Sequence, residues 1–371
     1  MNHESRLRRL RARMADEKIK ALLLTHGPDV RYLCGFSGSN AVLLVLRRKA
    51  VLLTDGRYTA QSRDETAGSG VRVLIGKHLL CQAVALLLRA GITSVCYSSH
   101  HTPVAALERM QACLPDDYSK AARRRFFIPV AASPVAALRE VKDADELHLI
   151  EEAALLGCRV FDATLPHLAA GVPERAVAAE LEYAARRMGA DGMSFDTIVA
   201  SGERSALPHG HASGQRLPRR GFVTLDFGVI LRGYCSDMTR TVYLGKPTRE
   251  EKRAYAAVLA AEEAGVASVR AGVAAAAVDQ AARSVLRRAG LAKHFSHSTG
   301  HGVGLEIHEG PRLAAKVDDV LAEGMVVTVE PGVYLPGRFG IRIEDMVVVG
   351  AEEARILTPT PKELLTLGHT A

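Results

Sequence analysis

Tryptophan is missing from all 371 positions, and aromatic residues together reach only 5%. So few rings leave little to stack on nucleobases, and no groove-reading motif accompanies the arginines gathered at 6–13, 123–125 and 216–220. The net charge of +7 therefore reads as solvated helix faces and loops, with no nucleic-acid partner. Also missing is any apolar run long enough to cross a bilayer, and the basic start of the chain lacks the apolar core of a signal segment. A cytoplasmic protein without a membrane partner is expected. No CxxC pair occurs. The six cysteines (Cys34, Cys81, Cys96, Cys113, Cys158, Cys235) are scattered, mostly in apolar stretches, and read as reduced, buried thiols. Low-complexity sequence is confined to the alanine-rich 271–277.

What the chain does have is 48% apolar residues against 24% charged ones, ordinary for a globular protein, and enough length for two unequal domains that each bury a core. Residues 1–133 alternate helical and extended patterns: a basic amphipathic helix at 5–17, strands at 21–25, 41–46, 50–54, 71–75 and 94–97, and an apolar helix at 79–89. This is a compact α/β domain. The stretch IPVAASPVAALREV at 128–141, with two prolines and several small residues, reads as an interdomain connection with the boundary near residue 133. Beyond it, Asp143 with Glu146 and Thr248 with Glu251 each have the spacing of a capping box opening a long helix. Pro173 suits the first turn of another helix, and Gly290 the stop of a fourth. Extended segments at 222–229 and 234–244, and at 325–330 and 341–349, alternate with these helices. Residues 134–371 are thus expected to form helices covering a mostly antiparallel sheet, an α+β domain.

The acids and histidines of this second domain stand in unusual places. In FVTLDFGVILRGYCSDMTRTVYLG two apolar strands carry one aspartate each, and a tight turn centred on Leu231 and Arg232 would set Asp226 opposite Asp237. Opposed like charges destabilise a sheet unless a cation lies between them. Farther on, FSHSTGHGVGLEIHEG places His297, His301 and His308 among glycines, where the backbone can come close to a ligand. MVVTVEPGVY ends an apolar strand at Glu330, and GIRIED puts Arg342 and Glu344 on one face with Ile341 and Ile343 on the other. Four carboxylates and one histidine in such settings make an oxygen-rich donor set, suited to a pair of divalent ions about 3.5 to 4 Å apart.

The ordered set Asp226, Asp237, His301, Glu330, Glu344 resembles the five metal ligands of the pita-bread metallopeptidases, a family that includes methionine aminopeptidase, prolidase, aminopeptidase P and creatinase. SALPHGHAS, LDFGV, CSDMTRT, STGHGVGLEIHE, VVTVEPGVY and GIRIED resemble that family's blocks in its order. GFSGSN and LLTDGRY resemble the N-terminal domain of the aminopeptidase P and prolidase branch, so the likeness spans essentially the whole chain. It implies a pita-bread catalytic domain at 134–371 behind a smaller creatinase/prolidase-type domain at 1–133. Asp226 and Glu344 would hold or bridge the metals, Asp237 would bind one through both oxygens, and His301 and Glu330 would complete the shell. Glu330 would also carry the proton from water to the leaving amine. His209 matches a histidine near the scissile carbonyl, His308 one beside the proline, and His297 a third such position; Tyr334 and Arg342 match residues lining the site. His211 and His294 are expected to be loop histidines without a metal role.

The implied activity is hydrolysis of the bond between an N-terminal residue and a following proline, a tertiary amide whose nitrogen carries no hydrogen. GFSGSN and LLTDGRY incline the reading toward an Xaa-Pro aminopeptidase, with an Xaa-Pro dipeptidase (prolidase) as the alternative. A metal-free binding module or a creatinase-like hydrolase is a third reading, against which the intact carboxylates count. Manganese suits the carboxylate-rich shell, with cobalt or zinc as substitutes. The resemblance also implies a homodimer.

Overall fold

The computed structural model describes residues 1–131 and 133–368; residue 132, inside the expected interdomain connection, lies outside the described residues. Two compact units divide the chain, Met1–Arg139 and Glu140–Ala371.

In the first unit the strands are β1 (Ala21–Leu24), β2 (Ala41–Leu46), β3 (Ala50–Thr54), β4 (Arg72–Ile75), β5 (Val95–Ser98) and β6 (Phe127–Val130). They form one sheet in the order β4-β3-β2-β1-β5-β6, antiparallel across β1, β2 and β3 and parallel where β4, β5 and β6 join. Its helices are α1 (His3–Asp16), α2 (Gly27–Cys34), α3 (Thr59–Glu65), α4 (Leu79–Arg89), α5 (Val104–Ala112), α6 (Lys120–Phe126) and α7 (Pro134–Glu140). Parallel neighbours need a crossover: α3 carries the chain from β3 to β4 and the α5–α6 pair from β5 to β6, while the chain reaches β5 beside β1 through α4 after β2, β3 and β4. Helix α1 buries Leu7, Leu10 and Met14, one stripe at helical spacing.

Three expectations for this unit change. The boundary falls after Arg139, not near residue 133, because α7 is bound to the first unit: Tyr32 donates its hydroxyl to the Leu138 carbonyl at 3.1 Å, and Arg139 pairs with buried Asp29 at 2.9 Å. Cys81 on α4 and Cys113 at the end of α5 form a disulfide, so the thiols are not all reduced; Cys34, Cys96, Cys158 and Cys235 lie outside that bond and are buried. Side-by-side packing of α4 and α5 brings the pair together across 32 positions of sequence. Finally, the arginine runs are not wholly solvated. Arg6 is buried, with its guanidinium 4.3 Å from the Tyr32 ring centre, and Arg123 donates to the carbonyls of Leu114, Pro115 and Tyr118.

The second unit runs twice through two helices followed by strands. The first pass is α8 (Ala144–Thr164), α9 (Glu174–Arg187), β7 (Gly192–Met193), β8 (Ile198–Ser201), β9 (Gly221–Phe227), β10 (Val229–Leu231), β11 (Tyr234–Cys235) and β12 (Met238–Leu244). The second pass is α10 (Arg249–Ser268), α11 (Ala275–Arg288), β13 (Gly300–Gly302), β14 (Glu309–Leu313), β15 (Val326–Val329), β16 (Gly332–Leu335), β17 (Phe339–Arg342) and β18 (Asp345–Val349), followed by β19 (Ala354–Ile356) and β20 (Thr366–Leu367). Both capping boxes form as expected, Asp143 with Glu146 on α8 and Thr248 with Glu251 on α10. The two main sheets, β20-β12-β9-β8 and β14-β13-β15-β18-β19, are antiparallel except where β20 joins β12. Helices α8 and α9 share a core with β8, β9 and β12, and α10 and α11 with β15 and β18.

Two strand expectations are corrected here. The β10–β11 turn centres on Arg232 and Gly233, both left-handed (φ 49° and 82°), rather than on Leu231 and Arg232. Glycine tolerates that backbone, and the paired positive φ values make the tight hairpin turn that follows strand twist. The register therefore shifts by two, and Asp226 faces Thr239, not Asp237. The expected strand at 341–349 is interrupted: β17 folds back on β16, and only β18 pairs with β15. Alternation survives the break, for Ile341 and Ile343 enter the core while Arg342 and Glu344 face a cavity.

Candidate metal centre

Each acid stands where a strand pair ends. Asp226 lies near the end of β9, Asp237 just before β12, Glu330 just after β15 and Glu344 just before β18. His301 is the middle residue of β13, between two glycines. A methyl group on Gly300 would sit 1.9 Å from the Thr328 carbonyl oxygen, so only glycine lets β13 lie this close to β15. All five side chains open into one cavity of about 740 Å³.

Within it, His301 Nε2 lies 3.5 Å from both Asp237 Oδ2 and Glu330 Oε1. Asp237, His301 and Glu344 each offer a donor atom within 4.8 Å of the others. The His301 Nδ1–H donates to the Gly302 carbonyl at 3.1 Å, which leaves the Nε2 lone pair aimed at the carboxylates. Burial, with the charge of His308 behind it, lowers the His301 pKa to about 4, so the ring is neutral at pH 7. Two carboxylate oxygens around an imidazole lone pair repel unless a cation lies among them.

Among the described residues, no side chain supplies that cation between Asp237, His301 and Glu330. Arg342 is engaged elsewhere: it pairs with Asp226, donates to the Tyr334 hydroxyl at 2.7 Å and the Pro208 carbonyl at 3.1 Å, and reaches Thr239 Oγ1 at 3.1 Å. The buried Oδ1 of Asp237 has no hydrogen-bond partner among the described residues. Burial and then the neighbouring Glu344 charge push Asp237 and Glu330 well above the carboxylate range; burial and Asp226 push Glu344 up to about 8. An orphaned acceptor, a bare imidazole nitrogen and carboxyls that resist ionising together fit a divalent-cation site.

Stripping the protein of metal should therefore destabilise it in a pH-dependent way. Glu344 has a folded pKa above its unfolded value, so the folded apoprotein binds more protons than the unfolded chain between about pH 4.5 and 8. Its stability falls as pH rises through that window, by roughly 1 kcal/mol per pH unit for each such carboxyl. Melting with and without EDTA at pH 5 and pH 8 measures this, and the gap between loaded and stripped protein should be wider at pH 8. A gap that does not grow, in protein shown to contain metal beforehand, would count against a shared carboxylate site.

The remaining expected site residues gather around the same cavity. His209 and His308 are exposed on its wall, the His308 ring centre 4.3 Å from that of His301. His297 also lines it, but both ring nitrogens are engaged: Nδ1–H donates to the Ser298 carbonyl and Nε2 accepts from the Tyr334 hydroxyl, each at 2.8 Å. Tyr334 thus links His297 to Arg342. His211 sits on the cavity wall as well, whereas His294 ends a short helical turn away from it. Thr239, which the sequence reading passed over, donates to Glu344 at 2.7 Å while accepting from Arg342. The interruption of an apolar strand by TRT was the available signal. Arg312, from β14 opposite His301, is another cavity residue not foreseen.

A carboxylate-rich centre at the ends of two strand pairs, within a twice-repeated helix and strand unit, places the second unit among metallopeptidases of the pita-bread fold. Residues 148–351 match metallopeptidase family M24 and residues 6–141 match the creatinase/prolidase N-terminal domain, and the chain belongs to that family. It is 35% identical to an Xaa-Pro dipeptidase of Pyrococcus horikoshii, covering 95% of this chain and 96% of that one. Among solved structures it is similar to an Xaa-Pro dipeptidase from Bacillus anthracis (37% identity, TM-score 0.92, covering 99% of this chain and all of that one). It is also similar to an X-Pro aminopeptidase from Thermotoga maritima (36%, TM-score 0.86, covering 96% and 100%).

Proposed function

We propose that this metallopeptidase is an Xaa-Pro dipeptidase working with two divalent ions held by Asp226, Asp237, His301, Glu330 and Glu344. The observation that carries the dipeptidase reading is Arg312. It is exposed on the cavity wall, and its guanidinium makes no ion pair or hydrogen bond among the described residues. A dipeptide ending in proline presents a free carboxylate, and an uncommitted guanidinium pairs with carboxylate through two parallel N–H donors. The sequence-based preference for an Xaa-Pro aminopeptidase gives way here, since relatives along the whole chain include Xaa-Pro dipeptidases at 35% and 37% identity.

The donor set itself, four carboxylates with the Arg342 guanidinium bonded to one of them, is strongly negative when ionised. One divalent ion would leave it negative still, whereas two tip it positive, which favours an electron-rich substrate oxygen. Bound there, divalent ions would supply Lewis acidity and an activated water, and the oxygen-rich donors favour manganese. Glu330 takes up the water proton and returns it to the departing proline nitrogen. His209 donates a hydrogen bond to the oxygen that gains charge at the scissile carbonyl. His308 lies beside the proline, and Tyr334 and His297 hold Arg342 in place.

Rates on an Xaa-Pro dipeptide, and on a longer peptide with the same first two residues, test the reading together with Arg312→Ala. A charge-assisted hydrogen bond is worth about 1.5 to 3 kcal/mol, so the variant should raise KM for the dipeptide by roughly ten- to a hundred-fold. The longer peptide should be affected little. A wild type faster on the longer peptide, with Arg312→Ala equal on both, would restore the aminopeptidase reading. Metal analysis of the purified protein separates both from a metal-free binding module.

A further inference from the structure

Glu174 opens α9 with its side chain fully buried, 0% exposed, and its carboxylate gathers five donors. Oε1 accepts from the Ser201 amide and hydroxyl, both at 2.9 Å. Oε2 accepts from Arg204 Nε at 3.0 Å and from the Ser213 amide and hydroxyl at 3.2 and 2.6 Å. Ser201 is the last residue of β8, whereas Ser213 lies two residues after His211. One buried group thus ties together both ends of the loop at 202–212.

That loop carries two groups of the site. The Pro208 carbonyl accepts from Arg342 Nη1 at 3.1 Å, and the next residue is His209. The His209 side chain makes no hydrogen bond of its own among the described residues, so the course of the backbone decides where its ring stands. Burial holds the loop only in part, since Glu203, Leu207 and His209 are all exposed. Arg204 reinforces the tie by donating also to the His211 carbonyl at 2.8 Å.

We propose that Glu174 is a positioning residue for the reaction: by fixing both ends of the loop it holds His209 at the scissile carbonyl and the Pro208 carbonyl against Arg342. The inference rests on the oxyanion role given to His209 under the proposed function. Five donors converge on two oxygens, so a carboxamide cannot replace the carboxylate; whichever way it turns, its NH2 meets N–H and O–H donors.

Hydrogen–deuterium exchange and steady-state kinetics on the full-length, metal-loaded protein test this with Glu174→Gln and Ser213→Ala. In Glu174→Gln, exchange at 202–213 should quicken while β9, β12, β15 and β18 stay protected and metal content is unchanged. A shift of about 1 Å in a catalytic group costs up to about a hundred-fold, so kcat on an Xaa-Pro dipeptide should fall by about ten- to a hundred-fold with little change in KM. Ser213→Ala, which removes one hydroxyl, should show a smaller effect of the same kind. If Glu174→Gln loosens the whole unit, Ser213→Ala decides: faster local exchange with a lower kcat upholds the proposal. Unchanged exchange at 202–213, or faster exchange with kcat unaltered, overturns it. A wild type inactive on every Xaa-Pro peptide would sink the functional reading instead, and the exchange comparison would still decide whether Glu174 holds the loop.

Discussion

Asp237→Ala is expected to abolish peptidase activity and lower bound metal, while leaving the stripped protein as stable as the wild type or more so. The residue is 4% exposed, its Oδ1 has no hydrogen-bond partner among the described residues, and its charge is opposed by Glu344, Asp226 and Glu330. In the absence of a cation such a group works against the fold, and deleting it relieves desolvation and repulsion together. With cations bound the balance reverses, because the carboxylate becomes a donor to the centre. A metal supplies several kcal/mol of transition-state charge stabilisation, so losing its hold should cost about a thousand-fold in kcat or more. Elemental analysis, turnover and melting of the EDTA-treated variant measure the three effects. Full activity would remove the centre assigned here. Loss of activity with a sharply lower melting temperature of the stripped protein would instead make Asp237 a structural residue. Glu344 differs in one respect: Thr239 donates to it at 2.7 Å, so Glu344→Ala leaves a buried hydroxyl without its acceptor and should lose some stability too.

Much of the architecture was legible because it rests on local chemistry. Asp143 with Glu146, and Thr248 with Glu251, mark helix starts through hydrogen bonds that span three residues, and both formed where the spacing put them. Apolar runs at 41–46, 50–54 and 79–89 became β2, β3 and α4 with the same ends. What failed depended on a single residue or on distance. The register of β9 against β12 turned on which residues took the left-handed turn, and choosing Leu231 and Arg232 over Arg232 and Gly233 misplaced every pair by two. The break between β17 and β18 falls at Ile343 and Glu344, inside a stretch whose alternation continues as in one strand, so periodicity alone did not show it. The Cys81–Cys113 link depends on two helices lying side by side, which neither helix's own pattern reveals.

The same division runs through the site. Acids inside apolar strands are conspicuous in sequence, because an unpaired buried charge is too costly to be accidental. Residues that support them are not. Glu174 looks like an ordinary acid in the first turn of a helix, and only the fold brings Ser201, Arg204 and Ser213 to it. Beneath Glu344, Arg240 donates to the Glu344 carbonyl and to Asp345, and Lys362 bridges Asp345 and Glu262, a buried set joining β12, β18, α10 and the chain's final segment. Removing any one member leaves its partner charged and buried, the situation that makes such pairs costly to break. Sequence periodicity places Arg240 in a strand but says nothing of partners more than a hundred positions away.

His308→Ala and His301→Ala should separate two roles that the motif GHGVGLEIHE presents as alike. His301 has its Nδ1 committed to the Gly302 carbonyl and its Nε2 turned to Asp237 and Glu330, so under the proposed function its loss removes a metal donor. His308 is exposed on the cavity wall and faces the His301 ring edge-on, outside the group of Asp237, His301 and Glu344. Desolvation against the cavity wall lowers its pKa, which favours the neutral ring with one N–H for the substrate contact proposed above. Removing one donor of that kind costs roughly a hundred-fold or more in turnover. The expected results are full metal content with a hundred-fold lower kcat for His308→Ala, and loss of both for His301→Ala. Because the two rings touch, His308→Phe serves as the control: it keeps the ring contact and removes the N–H. It should be as slow as His308→Ala if hydrogen bonding matters, and close to wild type if His308 only steadies His301. Equal metal loss in His308→Ala and His301→Ala would place both rings in the metal shell and reverse the division drawn here. Xaa-Pro and Xaa-Ala dipeptides compared on the wild type complete the test, since equal rates on the two would keep the metallopeptidase and remove its preference for proline.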